Sequence, residues 1–346
     1  MPRGAGEPSA KRAKADDAKD EEKVVCFRLP PELWEKIVDE YLDQNDLLAL
    51  AMTCTFFRDT TKGLGKKLET NLNPNRLFEL RKSGRIASHT LGWFQWICDT
   101  LTVLPGFEGR SWVRVKGAVY EGVLLNYAAF QGSVEILKWL MEKKGWGLNQ
   151  DTDRCAGMGG SIKVLEYLKA EGYKFYESAC QGAASGGHLK ALKFLRGLDP
   201  PCPWDEETCS RAAREGHLDV LKWARAQDPP CPWSAWTCVE AAEGGRLDVL
   251  KWARSQNPPC PWVAETCDAA AQGGHLDVLK WARSQNPPCP WGEFTCKFAA
   301  EEGQLEALKF LRSQNPPCPW SRGECRDDAS DNGHQHVVDW MDEHEE

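Results

Sequence analysis

Cysteine and histidine are the residues of this sequence whose spacing could do chemistry. There are 15 cysteines and 7 histidines. In the C-terminal half, cysteine recurs in a Cys-Pro-Trp turn and again in a Cys-x-x-Ala-Ala run, as at Cys231 and Cys238. A zinc site would pair these two, but six residues intervene between them, where tetrahedral zinc motifs use two to four. The second cysteine also falls beside the alanines on an apolar face, where a free thiol behaves as a small hydrophobe. The expected state is a buried thiol, with zinc and disulfide bonding as the alternatives. His188, His217, His275 and His334 share one recurring position, and Arg246 and Gln304 stand there in sibling segments. That exchange argues against a ligand in every copy and for a local structural hydrogen bond. Trp204, Trp233, Trp262, Trp291 and Trp320 recur as well. They could stack bases, but without a basic groove a packed ladder sealing the turns is the expectation. No phosphate loop, zincin, catalytic triad motif or dinucleotide fingerprint is present. The chain is read as a non-enzyme needing no cofactor.

Composition sets the frame for those thiols. The 346 residues are 42% hydrophobic, enough for a core, and carry a net charge of −8. Nucleic-acid binding needs a basic face, so it is not expected. No run of 18 apolar residues suggests a membrane span, and the N-terminus lacks the apolar region of a secretory signal. An intracellular protein, cytoplasmic or nuclear, is therefore expected, with its cysteines reduced. Residues 1–23 hold no Val, Ile, Leu or aromatic residue and read as a disordered tail. Lys11, Arg12 and Lys14 make a weak import-like patch there, opposed by Asp16, Asp17, Asp20, Glu21 and Glu22.

The elements that would hold these residues repeat. Cys180, Cys209, Cys238, Cys267, Cys296 and Cys325 follow at intervals of 29. Such a period marks a solenoid. Gly132, Gly160, Gly187, Gly216, Gly245, Gly274, Gly303 and Gly333 mark eight units from about residue 123 to 346, and residues 88–98 are a candidate degenerate copy. Each unit reads as two helices. In the first, Cys209, Ala212 and Ala213 share a narrow face, Thr208 is the expected N-cap, and Gly216 ends the helix. Ser210 and Arg211 with their counterparts Val239 and Glu240, Asp268 and Ala269, and Lys297 and Phe298 are expected to face outward. In the second, Leu218, Val220, Leu221, Trp223 and Ala224 cover most of the circumference, leaving Asp219 and Lys222 polar. A helix that apolar needs cover on two sides, so units must stack.

The unit Ala212–Lys222 resembles the ankyrin repeat, whose Ala-Ala-x-x-Gly-His-Leu-Asp-Val-Leu-Lys core it matches. It is about four residues shorter than the family's unit. The segment Asp228–Trp233 (Asp-Pro-Pro-Cys-Pro-Trp) stands where that family builds a β-hairpin; its prolines predict an extended turn instead. Short Cys-Pro-Trp units of this kind are similar to those of algal, protist and giant-virus proteins. The fold class expected is all-α, helical from about residue 120 without substantial sheet.

Upstream, Pro31 suits a first helical turn, and Leu33, Ile37 and Tyr41 form a stripe at four-residue spacing. Asp43–Asp46 breaks that helix, and Leu47, Leu50, Ala51 and Cys54 line the next. Residues 29–58, LPPELWEKIVDEYLDQNDLLALAMTCTFFR, resemble the F-box in the order and spacing of its motifs. That family commonly has Trp near the end of the motif, where Phe56 and Phe57 stand here. The domains expected are the tail (1–23), an F-box-like domain (24–68), a connecting helical region (69–122) and the repeats (123–346). The resemblance implies a substrate receptor of an SCF-type ubiquitin ligase. Leu29, Pro30, Leu33, Ile37, Leu47, Leu50 and Phe57 would dock a Skp-type adaptor of the cullin complex. Taking the hairpin as a simple cap leaves an interaction scaffold with no ubiquitin role. Positions that differ between otherwise alike units are the expected target contacts: Arg211, Trp236, Glu240, Glu265, Phe294 and Phe298.

Overall fold

The computed structural model describes residues 90–100, 102–104 and 118–344. The tail, the F-box-like segment and all seven expected adaptor contacts lie outside the described residues. The chain divides into two compact units, 1–123 and 124–346. Among the described residues no helix is long and apolar enough to cross a membrane.

In the first unit, α1 (Leu91–Thr100) precedes β1 (Thr102–Leu104), which pairs in parallel with β2 (Ala118–Tyr120). Val103 lies opposite Val119 in that register. Within the region 69–122 the described residues hold this helix and a three-residue strand pair. Thr102, Val103, Val119 and Tyr120 are β-branched or aromatic types that fit a pleated ladder. The candidate degenerate copy at 88–98 contributes α1, but a strand follows it in the chain rather than a second helix.

From residue 121 to 343 the described chain is a run of eight helix pairs. The first is α2 (Glu121–Gln131) with α3 (Val134–Lys138), which continues as a π turn over Trp139–Lys143. The next are α4 (Gln150–Gly159) with α5 (Ile162–Ala170), and α6 (Glu177–Ser185) with α7 (Leu189–Arg196). Then come α8 (Glu206–Glu215) with α9 (Leu218–Arg225), and α10 (Ala235–Glu243) with α11 (Leu247–Arg254). The last three are α12 (Ala264–Gln272) with α13 (Leu276–Ser284), α14 (Glu293–Glu301) with α15 (Leu305–Arg312), and α16 (Arg322–Asp331) with α17 (Gln335–Glu343).

From α4 onward each first helix packs on the first helix of the next pair, which makes a solenoid. The small faces allow this approach: Ala212, Ala213, Ala241 and Ala242 are buried, as are Cys209 and Cys238. On the second helix Val220, Leu221 and Ala224 are buried while Asp219 and Lys222 are exposed. Glycines close the first helices at left-handed φ, as Gly216 does at 84°. Gly245 shows a second constraint on the same position. Its φ is 67°, and the ring of His275 from the following pair fills the space a side chain would need.

Capping differs from the expectation at Thr208. Asp205 is the N-cap and Thr208 the third helical residue. The Asp205 carboxylate accepts from the Thr208 amide at 3.2 Å, and the Thr208 hydroxyl accepts the Asp205 N–H at 3.4 Å. This reciprocal arrangement satisfies two donors that the first turn leaves open. The recurring threonine also reaches the preceding pair: Thr237 lies 3.4 Å from Ser210, and Thr295 donates to the Asp268 carboxylate at 2.5 Å.

The Pro-Pro-Cys-Pro-Trp connections form no strand and are clipped by one arginine. Arg225 donates to the Cys231 carbonyl at 2.5 Å, and its guanidinium lies 4.1 Å from the Trp233 ring centre. Trp233 meets Trp252 edge-on at 6.0 Å. Arg196, Arg254, Arg283 and Arg312 repeat the clip over Trp204, Trp262, Trp291 and Trp320. Each turn tryptophan therefore lies under a guanidinium, and Trp204, Trp233 and Trp262 also meet Trp223, Trp252 and Trp281 edge-on. The Asp228–Pro229 bond is cis, as is its counterpart in four other connections.

Val337, Val338 and Met341 of the last pair are buried. Removing residues 321–346 strips this cover from the preceding pair. Each aliphatic side chain returned to water costs about 1.5–3 kcal/mol. The truncated chain should melt roughly 5 °C or more below the full one in far-ultraviolet circular dichroism. An unchanged melting temperature would contradict coupling between neighbouring pairs.

Candidate protein-binding surface

The helix ladder divides the variable positions into two groups. Ser210, Val239, Asp268 and Ala269 were expected to face outward, and all four are buried. Ser210 and Asp268 bond the next pair's threonine, as above. Their variation is repacking between neighbours. The expected contacts Arg211, Trp236, Glu240, Glu265, Phe294 and Phe298 are all at least partly exposed. They occupy the second and sixth residues of successive first helices, so the stack sets them side by side. Trp236 and Phe294 are 57% and 61% exposed, although nothing in the stack needs an aromatic residue there.

Three of the six meet in one place. Arg211, Trp236 and Glu240 line a groove of about 370 Å³ between α8 and α10, with Glu206, Glu207, Ser210 and Arg214. Both guanidinium groups inside it are already engaged. Arg211 pairs with Glu207 at 3.1 Å, and Arg214 with Glu240 at 3.1 Å and also with Glu243. Burial raises the Glu240 carboxyl above its ordinary range, against the pull of Arg214. Such half-exposed pairs are worth at most about 1 kcal/mol to folding. What they do is tie the side chains of the groove wall to one another. Phe294 and Phe298 lie outside this groove, one helical turn apart on α14, with ring centres at 6.0 Å. Glu265 stands on α12, between the groove and that aromatic pair.

Arg214 and Glu243 were missed. They hold one repeat position, 29 residues apart, where Gln272 and Glu301 follow. The same comparison between units that singled out Arg211 and Glu240 would have found them.

The polar residues that invited chemical readings have structural partners. His217 Nε2 lies 3.1 Å from the Ser185 carbonyl, and His275 Nε2 lies 2.9 Å from that of Glu243. Arg246 donates from Nε to the equivalent Arg214 carbonyl at 3.1 Å. The hydrogen bond is thus made to the preceding pair, and any donor of sufficient reach can serve, so histidine is exchangeable. Asp153 is fully buried and accepts from the Tyr176 amide at 3.0 Å and the Ser178 hydroxyl at 2.6 Å, fastening the start of α6. Burial pushes its carboxyl up to about 6. Among the described residues no three His, Cys, Asp or Glu side chains gather as a metal site would require.

Cysteines do pair, but across different spacings from Cys231 and Cys238. Cys180 and Cys202 have sulfurs 3.5 Å apart, and Cys209 donates to the Cys231 carbonyl at 3.9 Å. Cys238 with Cys260, Cys267 with Cys289 and Cys296 with Cys318 repeat the contact. Each pair joins a first helix to the turn closing its own unit. The Cys231 thiol donates on to the Asp205 carbonyl at 3.4 Å. In every pair a hydrogen bond to the partner sulfur, then burial, raises one thiol far above its ordinary range. Burial pushes Cys325 up to about 11. Thiols held protonated are poor nucleophiles.

Iodoacetamide should therefore spare the eleven buried cysteines of the native protein, Cys180 through Cys325, and modify all 15 after denaturation without reductant. Mass spectrometry of the alkylated protein reads this directly, and rapid native alkylation of those eleven would contradict the buried-thiol state. No family model and no curated protein matches this chain, so its surface is understood from its own residues.

Proposed function

We propose that the chain is a substrate receptor of an SCF-type ubiquitin ligase acting inside the cell. The helix pairs are ankyrin-type units whose first-helix face holds a protein target. Residues 29–58 act as an F-box that docks a Skp-type adaptor and, through it, a cullin complex. The observation that carries the target-binding half is the exposure of Trp236 and Phe294 on a stack whose packing positions otherwise repeat. Large aromatic residues dominate binding hot spots, and leaving them in water has no benefit for folding. The adaptor half is supported by the spacing of Leu29, Pro30, Leu33, Ile37, Leu47, Leu50 and Phe57 within the F-box-like motif. In this arrangement the chain positions its target, and other subunits perform the transfer of ubiquitin.

The test is co-purification of Skp and cullin subunits with the chain and with a Leu33→Asp, Ile37→Asp double variant. Each aliphatic anchor is worth about 1.5–3 kcal/mol when buried. Losing both should weaken adaptor binding by about a hundredfold or more. Undiminished adaptor recovery by a folded double variant would remove the ligase role. Recovery of a target without any adaptor would favour an interaction scaffold.

A further inference from the structure

Four large apolar side chains stand exposed among the described residues: Tyr176, Trp236, Val263 and Phe294. All four lie in the first turn of first helices. Tyr176 and Val263 are the N-caps of α6 and α12, and Trp236 and Phe294 are the second residues of α10 and α14. Glu177, Glu265 and Glu293 share these turns with Tyr176, Val263 and Phe294, and Glu206, Glu207 and Glu324 hold the first turns of α8 and α16 along the same edge; the turn of Trp236 has no acid of its own, and all six carboxylates are exposed. Of these only Glu207 forms an ion pair among the described residues, with Arg211. A carboxylate at a helix N-terminus is favourable on its own account, which explains the acids but not the aromatics beside them. The outer face of the second helices is the contrast. There Asp219 and Lys222, Asp248 and Lys251, and Asp277 and Lys280 balance one another in three successive units, α7 carries Lys190 and Lys193 without an acid, and no large apolar residue is exposed. Apolar exposure and uncompensated negative charge therefore coincide along one edge of the stack.

We propose that this edge binds a basic segment of a partner protein, in which lysine or arginine alternates with large apolar side chains; the inference rests on reading the repeats as a protein-binding stack. Apolar anchors would cover Trp236 and Phe294. Cations of the segment would lie against the free carboxylates and over the faces of the same rings. The two guanidinium groups of the groove, Arg211 and Arg214, are engaged by Glu207, Glu240 and Glu243, so they leave the edge negative to an incoming chain. Nucleic acid meets repulsion from those carboxylates. Spacing adds a constraint. Trp236 and Phe294 are two units apart, and packed helices lie about 8–10 Å from axis to axis, so the two rings are roughly 16–20 Å apart. An extended chain covers this in about five or six residues.

Fluorescence anisotropy with labelled peptides of about twelve residues tests the proposal, a length that spans both anchors. One peptide alternates arginine with leucine, a second glutamate with leucine, and a third serine with leucine. The arginine peptide should bind the full chain best, and more weakly as salt rises. Trp236→Ala with Phe294→Ala, and separately Glu265→Lys with Glu293→Lys, should each weaken it about tenfold or more. Asp219→Ala with Lys222→Ala should not. Arginine-peptide binding that ignores both edge variants would overturn the proposal, as would binding of none of the three. Preference for the glutamate or serine peptide, lost in the Trp236→Ala, Phe294→Ala variant, would overturn the basic partner but leave the protein-binding face standing. Failure of that broader reading has a separate sign: a co-purified target retained by the Trp236→Ala, Phe294→Ala variant.

Discussion

A single helix pair of this protein cannot bury its own apolar surface, and the rest of the structure follows from that constraint. Val220, Leu221 and Ala224 leave α9 with little more than Asp219 and Lys222 facing water. Cover has to come from the next pair, and that pair needs cover in turn. Stacking then restricts each position by what it touches. Alanines and cysteines face the neighbouring first helix, a left-handed glycine lets the chain turn without colliding with the next unit, and a donor at position 217 or its equivalents reaches back to the previous unit's carbonyl. The prolyl turn lacks a ladder of its own and is held by the arginine–tryptophan clip and the thiol pair.

Residues released from these duties are few, and they lie mainly on the first helices. Two physical demands meet at that edge. Helix N-termini favour carboxylates, and the binding role proposed for this face would favour its exposed aromatic side chains. Ion pairs such as Arg214 with Glu240 do little for folding at their exposure. They hold charged side chains of adjacent first helices together.

Much of the solenoid was legible in the sequence. The eight glycines named from spacing alone all adopt positive φ, and of the apolar circumference of the second helix Val220, Leu221 and Ala224 are buried while Leu218 and Trp223 stay partly exposed. Errors came where a residue's partner lies in another unit. Thr208 resembles an N-cap by type, yet Asp205 caps the helix: Thr208 bonds back to Asp205, which in turn accepts from Gln181 of the preceding pair. Ser210 and Asp268 look like surface residues on a helical wheel, yet the neighbouring threonine buries them. The thiol pairs were hidden by distance along the chain and not by a change of unit: Cys231 lies 22 positions beyond Cys209 in the same unit, and proximity pointed to Cys238 instead. The strand pair β1 and β2 lies outside the repeats, where no periodicity constrains the reading. Within the candidate surface, Trp236 and Phe294 were legible as exceptions to their repeat columns, whereas the groove formed with Arg214 and Glu243 required the ladder to be seen.

Residues 247–262 and 276–291 are identical, Leu-Asp-Val-Leu-Lys-Trp through the Cys-Pro-Trp turn. Because each clip and thiol pair is completed within its own block, a whole block can be gained or lost by unequal recombination without disturbing the joints on either side. Coding sequences that share this stretch would align in frame for such an exchange. The length of the stack is then heritable almost as a digit, while the few edge residues drift block by block. A lineage carrying such a gene could lengthen the stack or re-letter its exposed edge far faster than it could build a new fold.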